Sequence, residues 1–176
     1  VVSPIVVLPV FEEETIDAYE LGLKTDLLDG RMRLNGAAFF YTYDNLQYQA
    51  TDPEVFQGGV GNIPESEIMG AELELGTFLS DSLIFDARLA WLDTEITSSH
   101  LALDNVASEA ATNALLAQGI NLFSPEVERA RAAQIADVQG NELAKTPGFT
   151  ANLALTYSHT LAAWGDIEGT LSYTHR

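Results

Sequence analysis

Met32-Arg33-Leu34-Asn35-Gly36-Ala37-Ala38-Phe39-Phe40-Tyr41 repeats with a period of two: Met32, Leu34, Gly36, Ala38 and Phe40 stand opposite Arg33, Asn35, Ala37, Phe39 and Tyr41. Successive side chains of a strand point to opposite faces, so this stretch predicts a strand with one apolar face and one mixed face. Just before it, Leu28-Asp29-Gly30-Arg31 carries the Asp-Gly signal of a tight hairpin turn. Upstream of the turn, Tyr19, Leu21 and Leu23 alternate with Glu20, Gly22 and Lys24. Two strands joined by a short turn are therefore expected here.

The same period recurs in four later runs. Met69, Ala71, Leu73 and Leu75 oppose Gly70, Glu72, Glu74 and Gly76. After Ser80-Asp81-Ser82, Leu83, Phe85, Ala87, Leu89 and Trp91 oppose Ile84, Asp86, Arg88, Ala90 and Leu92. The last two runs are Phe149, Ala151, Leu153, Leu155, Tyr157 and Ile167, Gly169, Leu171, Tyr173. The apolar face of all six runs carries no charge, whereas the opposite face holds Glu20, Lys24, Arg33, Glu72, Glu74, Asp86 and Arg88.

Alternation alone fits a soluble sandwich, whose apolar faces pack on each other. Three features point to a membrane instead. Each run is about 9–11 residues, the length of a tilted spanning strand, against about 5–6 for soluble strands. The connections alternate, short at 28–31, 79–82 and 159–165 and long at 45–66 and 95–146, as in outer-membrane barrels. The aromatics also sort by height. Tyr19, Phe40, Trp91, Phe149 and Tyr173 fall near the long-loop ends and Tyr157 near the short turns, the pattern of rings at the two lipid interfaces.

Composition narrows the function classes. The 176 residues carry 26 Asp+Glu against 8 Lys+Arg, a formal net charge of −18, which leaves no basic surface for nucleic acid. Absence of cysteine removes a thiolate nucleophile and any Cys-ligated metal. Val1 to Val10 holds two prolines and no basic region, unlike a signal peptide. A first residue other than Met and a final strand that stops at Arg176 suggest a piece of a larger protein.

Short motifs then add a family. Glu13-Glu14-Thr15-Ile16-Asp17-Ala18-Tyr19-Glu20-Leu21-Gly22-Leu23-Lys24 resembles the E-x-Y-E-x-G-x-K strand of TonB-dependent outer-membrane receptors. The hairpin from Asp29 to Tyr41 is similar to their DGRLRLN-A-F-Y arm, and Asn62 through Leu75 to their N…G-x-E-x-E strand. Leu89-Ala90-Trp91-Leu92-Asp93-Thr94-Glu95 and the stretch 141–147 resemble a later strand end and strand entry. The ordered matches cover about 14–95 and 139–176.

The resemblance implies an all-β fold: about six strands of an antiparallel up-and-down transmembrane β-barrel, in a chain whose residues 1–176 all belong to the barrel domain. It further implies energised uptake of a scarce nutrient across the outer membrane of a Gram-negative bacterium, most often a ferric siderophore. The implied partners are outer-membrane lipid, a plug domain, the remaining barrel strands, the TonB complex and a small nutrient ligand, with no cofactor. The alternative kept beside it is a secreted soluble β-protein that binds a partner through its long loops.

The insertion 96–146 is expected to be extracellular and structured, because featureless loops of that length are uncommon. Helices are predicted over 105–118 and 124–137, the second opened by Ser124-Pro125-Glu126 as cap, first-turn proline and favourable acid. Ligand-contact candidates in the loops and strand ends are Asp44, Tyr48, Asp52, Glu54, Asp93, Glu95 and Asp104. Gln57-Gly58-Gly59-Val60-Gly61-Asn62 reads as a flexible loop that lacks the dinucleotide-binding spacing. His100, His159 and His175 form no metal-ligating pair, and no serine sits in a Gly-x-Ser-x-Gly elbow. Acid pairs Glu72/Glu74 and Asp93/Glu95 share strand faces, which is ordinary in barrel walls, so no enzyme is expected.

Overall fold

The computed structural model describes residues 11–51 and 58–176. Its main element is a six-stranded sheet in the order β1-β2-β3-β4-β7-β8. The strands are β1 (Thr15–Leu27), β2 (Met32–Thr51), β3 (Gly58–Ser80), β4 (Leu83–Ile96), β7 (Phe149–Thr160) and β8 (Asp166–His175). Between β4 and β7 the chain inserts β5 (Leu101–Leu103), α1 (Asn105–Leu116), α2 (Pro125–Ala132) and β6 (Ile135–Asp137). The chain divides into two compact units. The first comprises Asp17–Thr42, Glu67–Thr94 and Glu142–Arg176, and the second is built mainly from Tyr43–Ser66 and Glu95–Asn141.

In the first unit the register follows the period-two reading. Leu83, Phe85, Ala87, Leu89 and Trp91 of β4 face Tyr157, Leu155, Leu153, Ala151 and Phe149 of β7. On β8, Tyr173, Leu171, Gly169 and Ile167 continue the same side opposite Leu153, Leu155, Tyr157 and His159. The other side is polar. Across β7 and β8, Thr156 and Thr170 hydroxyls lie 3.0 Å apart, and the Thr174 hydroxyl donates to Asn152 Oδ1 at 3.0 Å.

The apolar side is uncovered. Leu21 is 79% exposed, Leu171 75% and Tyr19 66%, and the buried hydrophobics among the described residues are only Ile63, Ala87, Ile96, Leu103, Val127 and Ala151. A soluble sandwich would bury these large side chains against a second sheet, each contributing about 1.5–3 kcal/mol. Here the greasy surface has no protein partner among the described residues.

Two turns show how the hairpins close. Gly30 N–H donates to the Leu27 carbonyl at 3.2 Å and Arg31 N–H to that of Leu28 at 3.1 Å, with Leu28, Asp29 and Gly30 all at positive φ (54°, 54° and 84°). The turn lies where the Asp-Gly signal put it, but its first central pair is Leu28-Asp29. Asp81 and Ser82 alone separate β3 from β4. The Arg31 guanidinium reaches Asp81 at 3.1 Å and so joins the two turns.

Several expectations are corrected. The connection 45–66 is not a long loop: β2 continues to Thr51 and β3 already begins at Gly58. Gly58, Gly59 and Gly61 therefore lie in a strand, because strand pairing satisfies backbone groups whatever the side chain. The strands reach 20 residues in β2 and 23 in β3, well beyond a membrane-spanning length. The helix expected over 124–137 ends at Ala132, and Ile135–Asp137 instead pairs with Leu101–Leu103. Long-range pairing outweighs the helical preference of Ala136, and β-branched Ile135 favours the strand. The first helix ends at Leu116 rather than 118.

One close approach fixes the packing of three strands in the first unit. A Cβ built on Gly70 would lie 2.5 Å from Phe39 Cζ and 2.8 Å from the Trp91 carbonyl oxygen. Phe39 itself stacks on Tyr41, with ring centroids 4.9 Å apart. Gly70→Ala is expected to destabilise the sheet by about 1–3 kcal/mol, the usual cost of overpacking. Adding Phe39→Ala should restore only part of the loss, because the Trp91 carbonyl is backbone and cannot yield. Denaturant unfolding of the single and double variants in lipid would check both outcomes.

Candidate functional site

On the polar side of the first unit, all seven charged residues expected to share a face do so. Glu20, Lys24, Glu72 and Glu74 line one shallow depression with Asn35. Arg33, Glu74, Asp86 and Arg88 line the adjoining one. Glu74 ties them together: it accepts from Asn35 Nδ2 at 3.2 Å and pairs with Arg88 at 3.7 Å. Arg33 pairs with Asp26 at 2.9 Å. These pairs are exposed, so each contributes little and the surface stays hydrated.

On the apolar side, Tyr19, Phe40 and Trp91 gather with Met69, Ala38 and Ala71 along one shallow groove. Trp91 and Phe149 face each other across β4 and β7. Tyr173 stands opposite Leu153, two rows further along, and Tyr157 opposite Leu83 close to the short turns. Beyond this aromatic row three strands, β1, β3 and β4, turn acidic on the same side. Asp17 follows Tyr19, Glu67 follows Met69 and Asp93 follows Trp91, each two residues toward the long-connection end. Asp44 and Glu95 extend the Phe40 and Trp91 sides of β2 and β4 in the same sense.

The second unit is organised around the base of the insertion. Asp137 accepts from the Ser99 hydroxyl at 2.6 Å, from His100 N–H at 3.0 Å and from Gln139 N–H at 3.0 Å. These three donors, the Ser99 bond first, hold its carboxyl below the usual range. Gly140 N–H donates to Ile96 O at 2.8 Å and Ile96 N–H to Asn141 O at 2.9 Å, closing the neck. Above it, fully buried Val127 and buried Leu103 and Ser108 form a small core. Tyr48 Oη lies 2.7 Å from His100 Nε2. Burial pushes the Tyr48 hydroxyl up and His100 down, the latter opposed by the Asp137 charge.

The ligand-contact candidates thus separate. Asp104 caps α1, its Oδ1 accepting from Ala107 N–H at 2.9 Å. Tyr48 is engaged with His100, whereas Asp44, Asp93 and Glu95 are exposed. Asp52 and Glu54 lie outside the described residues. Sequence reasoning missed Asp137, which it placed inside a helix, and saw in His100 only a lone histidine. The available signal was Ser99-His100 preceding the apolar triplet 101–103 and Asp137 following the short apolar pair Ile135-Ala136. Among the described residues no group of His, Asp and Glu is arranged to hold a metal ion.

The family described as "TonB dependent receptor-like, beta-barrel" matches residues 4–176. The chain belongs to this family. Over 88 residues, 50% of this chain and 11% of the relative, it is 31% identical to the probable TonB-dependent siderophore receptor PiuA of Acinetobacter baumannii. The crystal structure of the siderophore receptor PiuA from Acinetobacter baumannii matches with a TM-score of 0.51 at 18% identity. That likeness covers 89% of this chain and 21% of the solved one, and it shows the fold. The open six-stranded sheet is accordingly a segment of an antiparallel membrane β-barrel. The matched relative is described as a receptor and not as an enzyme.

Two substitutions separate cap from charge and neck from surface. Asp104→Ala is expected to destabilise α1 by about 1 kcal/mol while Asp104→Asn leaves it nearly unchanged, since Asn caps as well as Asp. Asp137→Ala should lose amide protection at His100 and Gln139. In the unsubstituted protein that protection should hold down to pH values below the ordinary Asp value of about 3.9, because a lowered carboxyl titrates only there. Hydrogen exchange at those amides is the measurement.

Proposed function

We propose that this chain forms part of the barrel wall of an outer-membrane receptor that takes up a scarce nutrient, a ferric siderophore or similar ligand, with energy passed through TonB. The observation that carries the reading is the layered outer side of the sheet in a member of this family. On the apolar side of β4 an uncharged band runs from Leu83 to Trp91, eight steps or about 26 Å at 3.3 Å per residue. Tilted as barrel strands are, it covers about 20 Å of an apolar band roughly 25 Å tall. Aromatics Tyr19, Phe40, Trp91 and Phe149 lie at its upper limit and Tyr157 near its lower one. Carboxylates begin directly beyond the upper ring, where water returns.

In this reading Glu20, Lys24, Arg33, Glu72, Glu74, Asp86 and Arg88 face the lumen and a plug domain carried elsewhere in the protein. The insertion 96–146 lies outside the cell, and Asp44, Asp93 and Glu95 border its mouth. A chain of net charge −18 supplies few groups for an anionic ferric complex, so the basic contacts come from other parts of the receptor.

Sidedness is tested by adjacent substitutions. Leu155→Lys should destabilise the barrel by about 2–4 kcal/mol, the cost of a cation near the bilayer midplane, while Ala154→Lys on the lumen side should cost far less. Equal costs would remove the lipid-facing assignment. Transport is tested by disrupting the gene under iron limitation and following radiolabelled ferric siderophores into the cells. Loss of uptake of one class, restored by the intact gene, is the expected result. Unchanged uptake across siderophore classes would sink the siderophore assignment and direct the search to other scarce nutrients.

A further inference from the structure

The contact between Tyr48 and His100 serves neither the sheet nor the helix caps. The two residues are 52 apart in sequence, Tyr48 on the far part of β2 and His100 directly before β5. Their rings meet edge to face with centroids 5.6 Å apart, and the hydroxyl lies 2.7 Å from Nε2. One backbone bond and one side-chain bond already fix the foot of the insertion to β3: Thr97 N–H donates to Glu65 O at 3.1 Å, and Glu65 N–H to Ser98 Oγ at 3.0 Å. Tyr48–His100 adds a side-chain tie from the insertion to β2.

This tie has a chemical polarity. A neutral imidazole can accept the Tyr48 O–H at Nε2, whereas an imidazolium carries protons on both nitrogens and can accept nothing. Protonation would force the hydroxyl to reverse in a half-buried setting. The charged group facing His100 from the insertion is Asp137 of β6, and the titratable group facing it from β2 is Tyr48. The Asp137 charge favours the imidazolium, but burial of the ring outweighs it.

We propose that Tyr48 and His100 form a pH-sensitive latch, which holds the insertion to the β2–β3 hairpin at neutral and higher pH and loosens it in acid. Burial keeps His100 neutral to lower pH than an ordinary histidine. The sign follows: the unfolded or opened state binds the proton first, so the latch is complete above the ordinary value of about 6.5 and weakens as the pH falls below it. The inference does not depend on which nutrient the receptor carries.

The test places spin labels at two exposed positions, Gln49→Cys and Phe123→Cys, in the complete receptor in lipid, and measures the distance distribution at about pH 7.5 and about pH 5, either side of the ordinary histidine value. The expected result is one narrow distribution at the higher pH and a several-fold larger open fraction at the lower one. His100→Gln, which keeps a hydrogen-bonding group but cannot titrate, should stay narrow at both. Tyr48→Phe should be broad at both. A distribution in the unsubstituted receptor that does not change with pH, or the same acid broadening in His100→Gln, overturns the latch.

Discussion

Everything in the first unit depends on one constraint: backbone N–H and C=O groups in hydrocarbon have no water to bond to, so they must bond to one another. A sheet meets this demand between its strands and leaves side chains to meet the two surroundings. The β4–β7–β8 register does so row by row, apolar pairs such as Leu155–Leu171 on one side and hydroxyl pairs such as Thr156–Thr170 on the other. The two faces therefore need no separate cores, which is why so few hydrophobics are buried among the described residues. The edges at β1 and β8 are the corollary, since an open sheet satisfies its inner strands and not its outermost backbone groups.

Once the strands leave the apolar band, the physical demands change. β2 and β3 continue well past the aromatic row, and water can satisfy whatever their pairing does not. Charged side chains return on the side that is apolar below, as at Asp17, Glu67 and Asp93. Glycines are tolerated in β3 because the backbone ladder, not side-chain packing, holds the arm. In the second unit small polar knots replace hydrophobic burial: Asp137 with its three donors, Asp104 and Ser124 at their helix ends, and Tyr48 against His100. Such knots fix geometry with little apolar surface, which suits a segment that carries few large buried residues.

The polar side of the sheet and the insertion differ in what they offer a ligand. Exposed ion pairs such as Arg33–Asp26 and Arg88–Glu74 are weak, readily exchanged contacts, appropriate to a hydrated wall. The insertion is ordered and capped, so its residues are presented at defined positions. Asp104 illustrates how a carboxylate that looks available in sequence can already be engaged by a backbone N–H. The other candidate carboxylates described, Asp44, Asp93 and Glu95, are exposed and lie on strand extensions rather than in loops.

The period of two, the hairpin at 28–31, the sorting of aromatics and the acidic excess were all legible in the sequence, because each arises from a residue and its near neighbours. Strand faces followed, and with them the grouping of Glu20, Lys24, Arg33, Glu72, Glu74, Asp86 and Arg88 on one side. Only the tertiary structure decided how far β2 and β3 run, since a strand ends where its partner ends and not where its own pattern fades. It likewise turned Ile135–Asp137 from expected helix into a strand, through pairing with Leu101–Leu103 more than thirty residues away. The Tyr48–His100 contact and the three donors on Asp137 were invisible beforehand for the same reason. Periodicity records which way a side chain points, but what it meets there depends on distant parts of the chain brought together by backbone pairing.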